Sequence, residues 1–377
     1  MNLNLKACTG CGLCVQICPK GCITMELDSN GFLAPHIDKS ACIGCGLCEK
    51  SCPNETPVER QSVKAVYTGY YPRETALEIS TSGGIFTALA EYIIEKKQGY
   101  VFGAQFDQDF SVFHSVASTM EDVKKFCGSK YIGSDTRHTF LEARELLEKG
   151  HWVLYTGTPC QIAGLKAFLK KDYPHLITCD FVCHGVGSSK VWFRFLNEME
   201  QRQGQKVTAV RFRSKIKGYH NSQMEIGFLD ESKILFPSYK NPFGYAFASD
   251  LITRESCGDC KYCTLERTAD ITVADYSGND VTSFEQKNGS SLILLNTKKA
   301  SEMFQELSLV LRERTLSHAV NCSYHLTKKA SPNPKREQFF IDFTTMDFDT
   351  LEKTYLTPPE PSFVMKLKQK LKAVLKQ

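Results

Sequence analysis

One pattern occurs twice near the start of the chain and restricts its fold more than any other feature. Cys8-Thr-Gly-Cys11-Gly-Leu-Cys14-Val-Gln-Ile-Cys18-Pro19 is followed by Cys42-Ile-Gly-Cys45-Gly-Leu-Cys48-Glu-Lys-Ser-Cys52-Pro53. Each passage is C-x2-C-x2-C-x3-C-P. Three thiolates this close together wrap one face of a 4Fe–4S cubane in a single tight turn. The fourth cysteine starts the next element, points away, and serves the other cluster. The spacing therefore predicts one cluster on Cys8, Cys11, Cys14 and Cys52, and a second on Cys42, Cys45, Cys48 and Cys18. Gly10, Gly12, Gly44 and Gly46 let the backbone close around the sulfides. Zinc also uses C-x2-C pairs, but rarely three cysteines at this spacing followed by Cys-Pro.

Nine of the 17 cysteines lie in this opening segment and eight are spread over the remainder of the 377 residues. A small secreted disulfide scaffold would distribute them evenly. The N-terminus has no apolar signal region. No stretch reaches the roughly 18 apolar residues a spanning helix needs. The expectation is a cytoplasmic chain whose thiols are free for metal. A formal net charge of +4 is too mild to imply nucleic acid and permits an acidic redox partner. Cys22 falls outside the pattern and reads as a packing residue. Ile23-Thr-Met-Glu-Leu and Gly31-Phe-Leu-Ala-Pro-His-Ile read as short hairpins.

After a proline-bearing linker, apolar runs alternate with helical stretches. Strands are expected at 100–106, 112–117, 151–155, 176–182, 207–212, 223–229, 270–273 and 292–295. Helices are expected at 85–97, 139–149, 159–171, 190–203 and 300–312. The fold class is α+β: a small ferredoxin-like domain carrying two 4Fe–4S clusters, then a mixed α/β domain. Boundaries are set at 1–60, 61–335 and a C-terminal tail at 336–377.

Several turns of the body are chemical in character. Thr81-Ser82-Gly83-Gly84 precedes a helix and offers either an anion seat or an ordinary serine cap. Neither a dinucleotide fingerprint nor a P-loop is present. Pro159 sits where a helix begins, so Cys160 lies in its first turn, as a metal ligand, a nucleophile or an inert thiol. Asp180-Phe-Val-Cys183-His184-Gly185 ends a strand. Cys257-Gly-Asp-Cys260-Lys-Tyr-Cys263 supplies three more thiolates. With Cys160 or Cys183 they can build a third 4Fe–4S cluster, with zinc or a redox thiol group as alternatives.

These residues resemble the beta subunits of coenzyme F420 (deazaflavin) hydrogenases and dehydrogenases, a family of iron–sulfur flavoproteins. The matching passages are Thr81-Ser-Gly-Gly-Ile-Phe, Gly128-Ser-Lys-Tyr-Ile and Thr156-Gly-Thr-Pro-Cys-Gln-Ile-Ala-Gly-Leu. Asp180-Phe-Val-Cys-His-Gly-Val, Arg254-Glu-Ser-Cys-Gly-Asp-Cys and Arg267-Thr-Ala-Asp-Ile-Thr-Val-Ala-Asp complete them. The resemblance implies a flavin, FAD rather than FMN, and a third 4Fe–4S cluster. Its pattern points to Cys257 and Cys260 with Cys160 and Cys183. Cys263 lies where such proteins often carry another residue. Ser82, Gly83, Gly84, Ser129, Lys130 and Tyr131 become candidates for flavin phosphate and ring contacts. Thr156, Gly157, Thr158, Gln161 and Asp275 join them. Lys130 and His184 are the catalytic candidates, as a cation beside the flavin ring and a proton relay. Ala274-Asp275-Tyr276-Ser277-Gly278 departs from the family's Gly-Asp-Phe-Trp-Gly by lacking the tryptophan.

The implied activity is a reductase passing electrons from a ferredoxin or other redox donor through the clusters to the flavin and an organic substrate. Some bacterial members are encoded among polysaccharide-synthesis genes, so a small-molecule or glycan-precursor substrate is expected. The competing expectation is an electron-relay subunit of a larger hydrogenase or dehydrogenase complex, without its own substrate. Phe363, Leu367, Leu371 and Val374 share the face of a basic C-terminal helix that suits peripheral membrane contact or packing on its own domain. A homo-oligomer is left open.

Overall fold

The computed structural model describes residues 3–359, so the amphipathic segment from Phe363 lies outside the described residues. In chain order the strands are β1 (Ile23–Leu27), β2 (Leu33–Ile37), β3 (Ala65–Tyr70), β4 (Tyr100–Phe106), β5 (Val112–Ala117), β6 (Ser134–Asp135) and β7 (Val153–Thr156). They continue as β8 (Leu176–Phe181), β9 (Val207–Ser214), β10 (Gln223–Phe228), β11 (Lys233–Pro237), β12 (Ile271–Tyr276), β13 (Ser290–Leu295) and β14 (Val310–Arg314). The two N-terminal apolar segments form one hairpin, β1 against β2, with Ile23 opposite Ile37.

The body is built on a nine-stranded mixed sheet of order β14-β3-β13-β12-β8-β7-β4-β5-β6. The run β12-β8-β7-β4 is parallel, while β13 is antiparallel to both β12 and β3. The fold is therefore mixed α/β after an N-terminal cluster module. Helices 139–148, 159–169 and 298–305 begin near the expected positions, and β13 is buried at every residue. Central strands covered on both faces read as continuous apolar runs, which explains Val153, Leu154 and Tyr155 at zero exposure.

A second sheet, β11-β10-β9, packs its apolar face against the helix Ser189–Gln203. Trp192, Phe195, Phe212 and Phe243 form the centre of that core. The segment assigned to a tail contributes to it. Phe339, Phe340, Phe348 and Leu351, on helices between 336 and 351, are buried with Trp192. Burying aromatic side chains of this size stabilises by about 1.5–3 kcal/mol each, so residues up to Leu356 are part of the body's packing. The expected helix at 300–312 stops at Gln305, and Val310–Arg314 instead pairs with β3 as an edge strand.

Because β3, β12, β8, β7 and β4 run the same way, their carboxyl ends line one edge of the sheet. Chains leave that edge toward Ser82, Ser277, Cys183, Cys160 and Asp107. Open α/β sheets place ligands outside this edge.

Candidate functional site

In the N-terminal module, the helices Leu13–Ile17 and Leu47–Lys50 each start from a left-handed glycine, Gly12 at φ 77° and Gly46 at φ 71°. Glycine adopts this conformation without a Cβ clash. It turns the chain sharply enough to gather three cysteines. Cys8, Cys11, Cys14 and Cys52 line one cavity, which Cys48 also borders. Cys18, Cys42, Cys45 and Cys48 line another. The fourth cysteine of each run thus lines the opposite cavity. Burial pushes the Cys14 thiol up to about 12 and the Cys11 thiol well above its usual range. A protein interior does not favour bare thiolates, whereas a bound cation reverses that preference. The donor set and its crosswise arrangement fit two 4Fe–4S groups.

In the body, Cys160 occupies the first turn of the helix Pro159–Leu169, whose start is fixed by a Thr158–Gln161 capping box. Cys183 follows β8, and Cys257 and Cys260 lie on the turn Glu255–Asp259 and just after it. Cys183 interacts electrostatically with Cys160, Cys257 and Cys260. Cys257 interacts in the same way with Cys160 and Cys260, and Cys160 with Cys260. Cys263 points elsewhere. Its thiol donates to the His325 carbonyl at 3.2 Å, and its thiol neighbour is Cys260. Four body thiols converge and the fifth stands aside.

The body set abuts the N-terminal module. Arg254 donates to the carbonyls of Cys8 and Leu33 at 3.3 and 2.8 Å, and Ser256 Oγ to the Cys8 carbonyl at 2.8 Å. Tyr262 lies within electrostatic reach of Cys11 and Cys52 on one side and Cys160 and Cys260 on the other. The outermost thiol is Cys45, which is exposed.

Residues 150–315 match the family model for the C terminus of the coenzyme F420 hydrogenase/dehydrogenase beta subunit, and residues 7–56 match a 4Fe–4S dicluster domain. Residues 150–315 are thus similar to this beta subunit family. The chain is 28% identical over 313 residues to the coenzyme F420-dependent sulfite reductase of Methanocaldococcus jannaschii, covering 80% of this chain and 46% of that protein. The chain thus spans about half the length of the curated relative it matches. A chain of the F420-reducing NiFe hydrogenase complex from Methanosarcina barkeri aligns at 17% identity and a TM-score of 0.46, covering 78% of this chain and 92% of that one.

The passages that carry the resemblance fall along the carboxyl edge. Ser129 donates from its backbone N at 2.9 Å and its hydroxyl at 3.1 Å to Thr81 Oγ1, which ties the two candidate flavin loops together. Gly84 is left-handed at φ 77° and begins the helix Ile85–Glu91, while Ser82 Oγ donates to the Ser290 carbonyl. Lys130 Nζ donates to the carbonyls of Phe126, Cys127 and Gly128 at 3.3 Å each. Burial lowers its pKa to about 8. Tyr131 stacks on Phe247 at 4.8 Å, and Phe247 lies 4.8 Å from the His184 ring. His184 Nε2 is 2.7 Å from Asp250 Oδ1. Burial opposes ionisation of Asp250, but hydrogen bonds from His184 and the Ser331 N–H outweigh it and hold the carboxyl below its usual range.

Thr156, Thr158 and Gln161 turn inward. Thr156 Oγ1 donates to the Phe102 carbonyl, Gln161 to the Ser134 carbonyl, and the Thr156 carbonyl meets His114 Nε2 at 2.9 Å. Burial drives His114 down to about 4. With the Gly157 N–H bonded to the Cys179 carbonyl, this passage fixes the helix start that carries Cys160. Where the tryptophan is missing, Ser277 is exposed, and the preceding Tyr276 is buried with its hydroxyl 2.9 Å from His318.

Sequence reading missed a cationic stripe. Arg211 and Arg213 share one face of β9, and Lys215 follows at the same period. Arg213 is ion-paired with Asp275, sits over the Tyr219 ring at 5.4 Å, and has a buried Nε without a partner. Lys215 Nζ donates to the carbonyls of Asn288 at 2.6 Å and Ser82 at 3.3 Å. Burial, with Arg213 and Arg211 beside it, lowers Lys215 to about 8 against the pull of Asp275. Tyr239 completes the group through a 3.1 Å contact with Tyr131. Arg-x-Arg-x-Lys was the available signal.

Proposed function

We propose that the chain is an iron–sulfur flavoprotein reductase, in which the two N-terminal clusters feed a third cluster on Cys160, Cys183, Cys257 and Cys260 and a flavin at the cationic edge. One observation carries this reading. The body thiols and the cationic, aromatic site share a wall: Cys183 is followed by His184, then Phe247 and Tyr131 in successive ring contacts. Clusters supply one-electron steps, and a flavin, FAD rather than FMN, pairs them for an organic substrate.

The chain's own residues do the positioning. Arg254, Ser256 and Tyr262 hold the cysteine turn against the N-terminal module. Thr81 and Ser129 lock the two loops that face the flavin. Arg211, Arg213 and Lys215 offer positive charge to a phosphate-bearing ligand. Asp250 orients His184, which can hold a proton near the body thiols. The likeness to a sulfite reductase supports redox chemistry and leaves the acceptor open.

Anaerobic purification with iron, sulfide and flavin counted per chain is the test. About twelve iron atoms and one flavin support the reading; about eight iron atoms, or no flavin, overturn it. Cys11→Ala should then abolish turnover driven by a ferredoxin while sparing flavin reduction by an artificial donor. A stable isolated chain that reduces a small molecule excludes the relay-only alternative.

A further inference from the structure

The second N-terminal cavity is bordered by a cysteine that belongs to neither C-x2-C-x2-C-x3-C run. Cys22 lines it together with Cys18, Cys42, Cys45 and Cys48. Its sulfur lies 3.4 Å from Cys18 Sγ. The contact is built by a tight turn. Gly21 takes φ +58°, and its N–H bonds back to the Cys18 carbonyl at 3.2 Å, so the chain entering β1 folds over the ligand that precedes it. Cys22 is 7% exposed, facing inward with Cys48 and Ile23.

The two cysteine runs differ at this point. The first continues Cys18-Pro-Lys-Gly-Cys22, whereas the second continues Cys52-Pro-Asn-Glu-Thr56. Thr56 is exposed and donates to the Lys50 carbonyl. Cys22 therefore has no counterpart in the other run, and the cavity it lines includes the exposed Cys45; the fifth cysteine bordering the first cavity is Cys48, which the two cavities share. The inner site, covered by the body, has threonine instead.

We propose that Cys22 is a reserve ligand for the outer cluster, able to replace Cys18. In the exchange the Fe–Sγ bond to Cys18 breaks and an Fe–Sγ bond to Cys22 forms. The Cys22 proton passes to the departing Cys18 sulfur across the short S···S contact. No electron is gained or lost, and the thiolate count on the iron is unchanged. The exposed cluster thus keeps four protein ligands when Cys18 is lost. The inference rests on cluster binding by residues 7–56 and is independent of the flavin.

The test uses the full chain, reconstituted anaerobically, with iron and sulfide counted and the reduced clusters examined by electron paramagnetic resonance. Cys18→Ala should retain the wild-type iron count with an altered outer-cluster signal. Cys18→Ala with Cys22→Ala should lose about four iron atoms. Equal iron in the single and double variants overturns the proposal, whether both lose the cluster or both keep it. Should Cys18→Ala lose all its clusters through misfolding, Cys22→Ala in the otherwise native chain decides. Its outer cluster should release iron to a chelator several-fold faster than wild type, and an unchanged rate overturns the proposal. A wild-type chain lacking the outer cluster refutes the ligand assignment itself, a result the wild-type count reveals separately.

Discussion

Arg267 Nη2 meets Asp180 Oδ2 at 2.9 Å, with both side chains essentially inaccessible to water. Arg267 also donates to Thr272 Oγ1 and to the carbonyls of Tyr262 and Thr264. It fastens the Cys257–Cys263 turn to β8 and β12. Burial raises the Asp180 pKa, and the guanidinium opposes that rise. Removing the arginine leaves a buried carboxylate uncompensated. Arg267→Ala should therefore cost roughly 3–5 kcal/mol. A denaturation midpoint unchanged from wild type would show that the pair is not the fastening.

A second relationship controls how the N-terminal module seats. A Cβ placed on Gly164 would lie 3.2 Å from both Cβ and Sγ of Cys11. Gly164 lies inside the helix that carries Cys160, so the close approach sets the distance between two thiol groups. Gly164→Val should push the module away while each cluster retains its iron. Reduction of the body cofactors by a ferredoxin should slow by at least tenfold, and reduction by a small artificial donor should not change. Equal slowing with both donors would argue for general misfolding.

Much of this arrangement was legible because it is local. The N-terminal cysteines lie within short turns, so spacing alone grouped them into two candidate sets with Cys18 and Cys52 exchanged. Cys160 and Cys183 were legible only as unusual strand ends; their convergence with Cys257 depends on the parallel order β12-β8-β7. The cationic stripe of β9 was not legible, since charges at alternate strand positions read as a solvated face until Ser82 and Asp275 close over them. Leu309 and Leu311 alternate as a strand does, but the amphipathic helix before them masked the change of period. Phe339 and Phe340 looked like tail because Trp192, their core neighbour, is far away in sequence.

The body thiols make separable predictions. Cys183→Ala should lower the iron count by about four atoms. Cys263→Ala should leave it unchanged, because that sulfur faces the His325 carbonyl rather than the other thiols. Metal analysis of the two variants side by side checks both. Iron loss in Cys263→Ala with retention in Cys183→Ala would exchange their roles.

Lys215 should make binding of a phosphate-bearing ligand depend on pH. Its charged form is disfavoured by burial and by Arg213 and Arg211, with Asp275 the opposing acid, so its pKa lies near 8 instead of 10.5. Below that pH the lysine carries its charge and can attract an anion. As pH rises through about 8 the charge is lost in the free protein, and affinity for the anion falls. Folding has the opposite sign. The unfolded chain binds the proton more tightly, so this group's penalty on stability shrinks as pH rises from 8 toward 10.5. Titrating the chain with FAD between pH 7 and 9.5 should give a dissociation constant that is flat at first and then weakens by up to tenfold per pH unit. Lys215→Met should bind more weakly at pH 7 and lose the break near 8. A break that persists in the variant would assign the titration to Lys130, which also titrates near 8. Lys130→Met should then remove it.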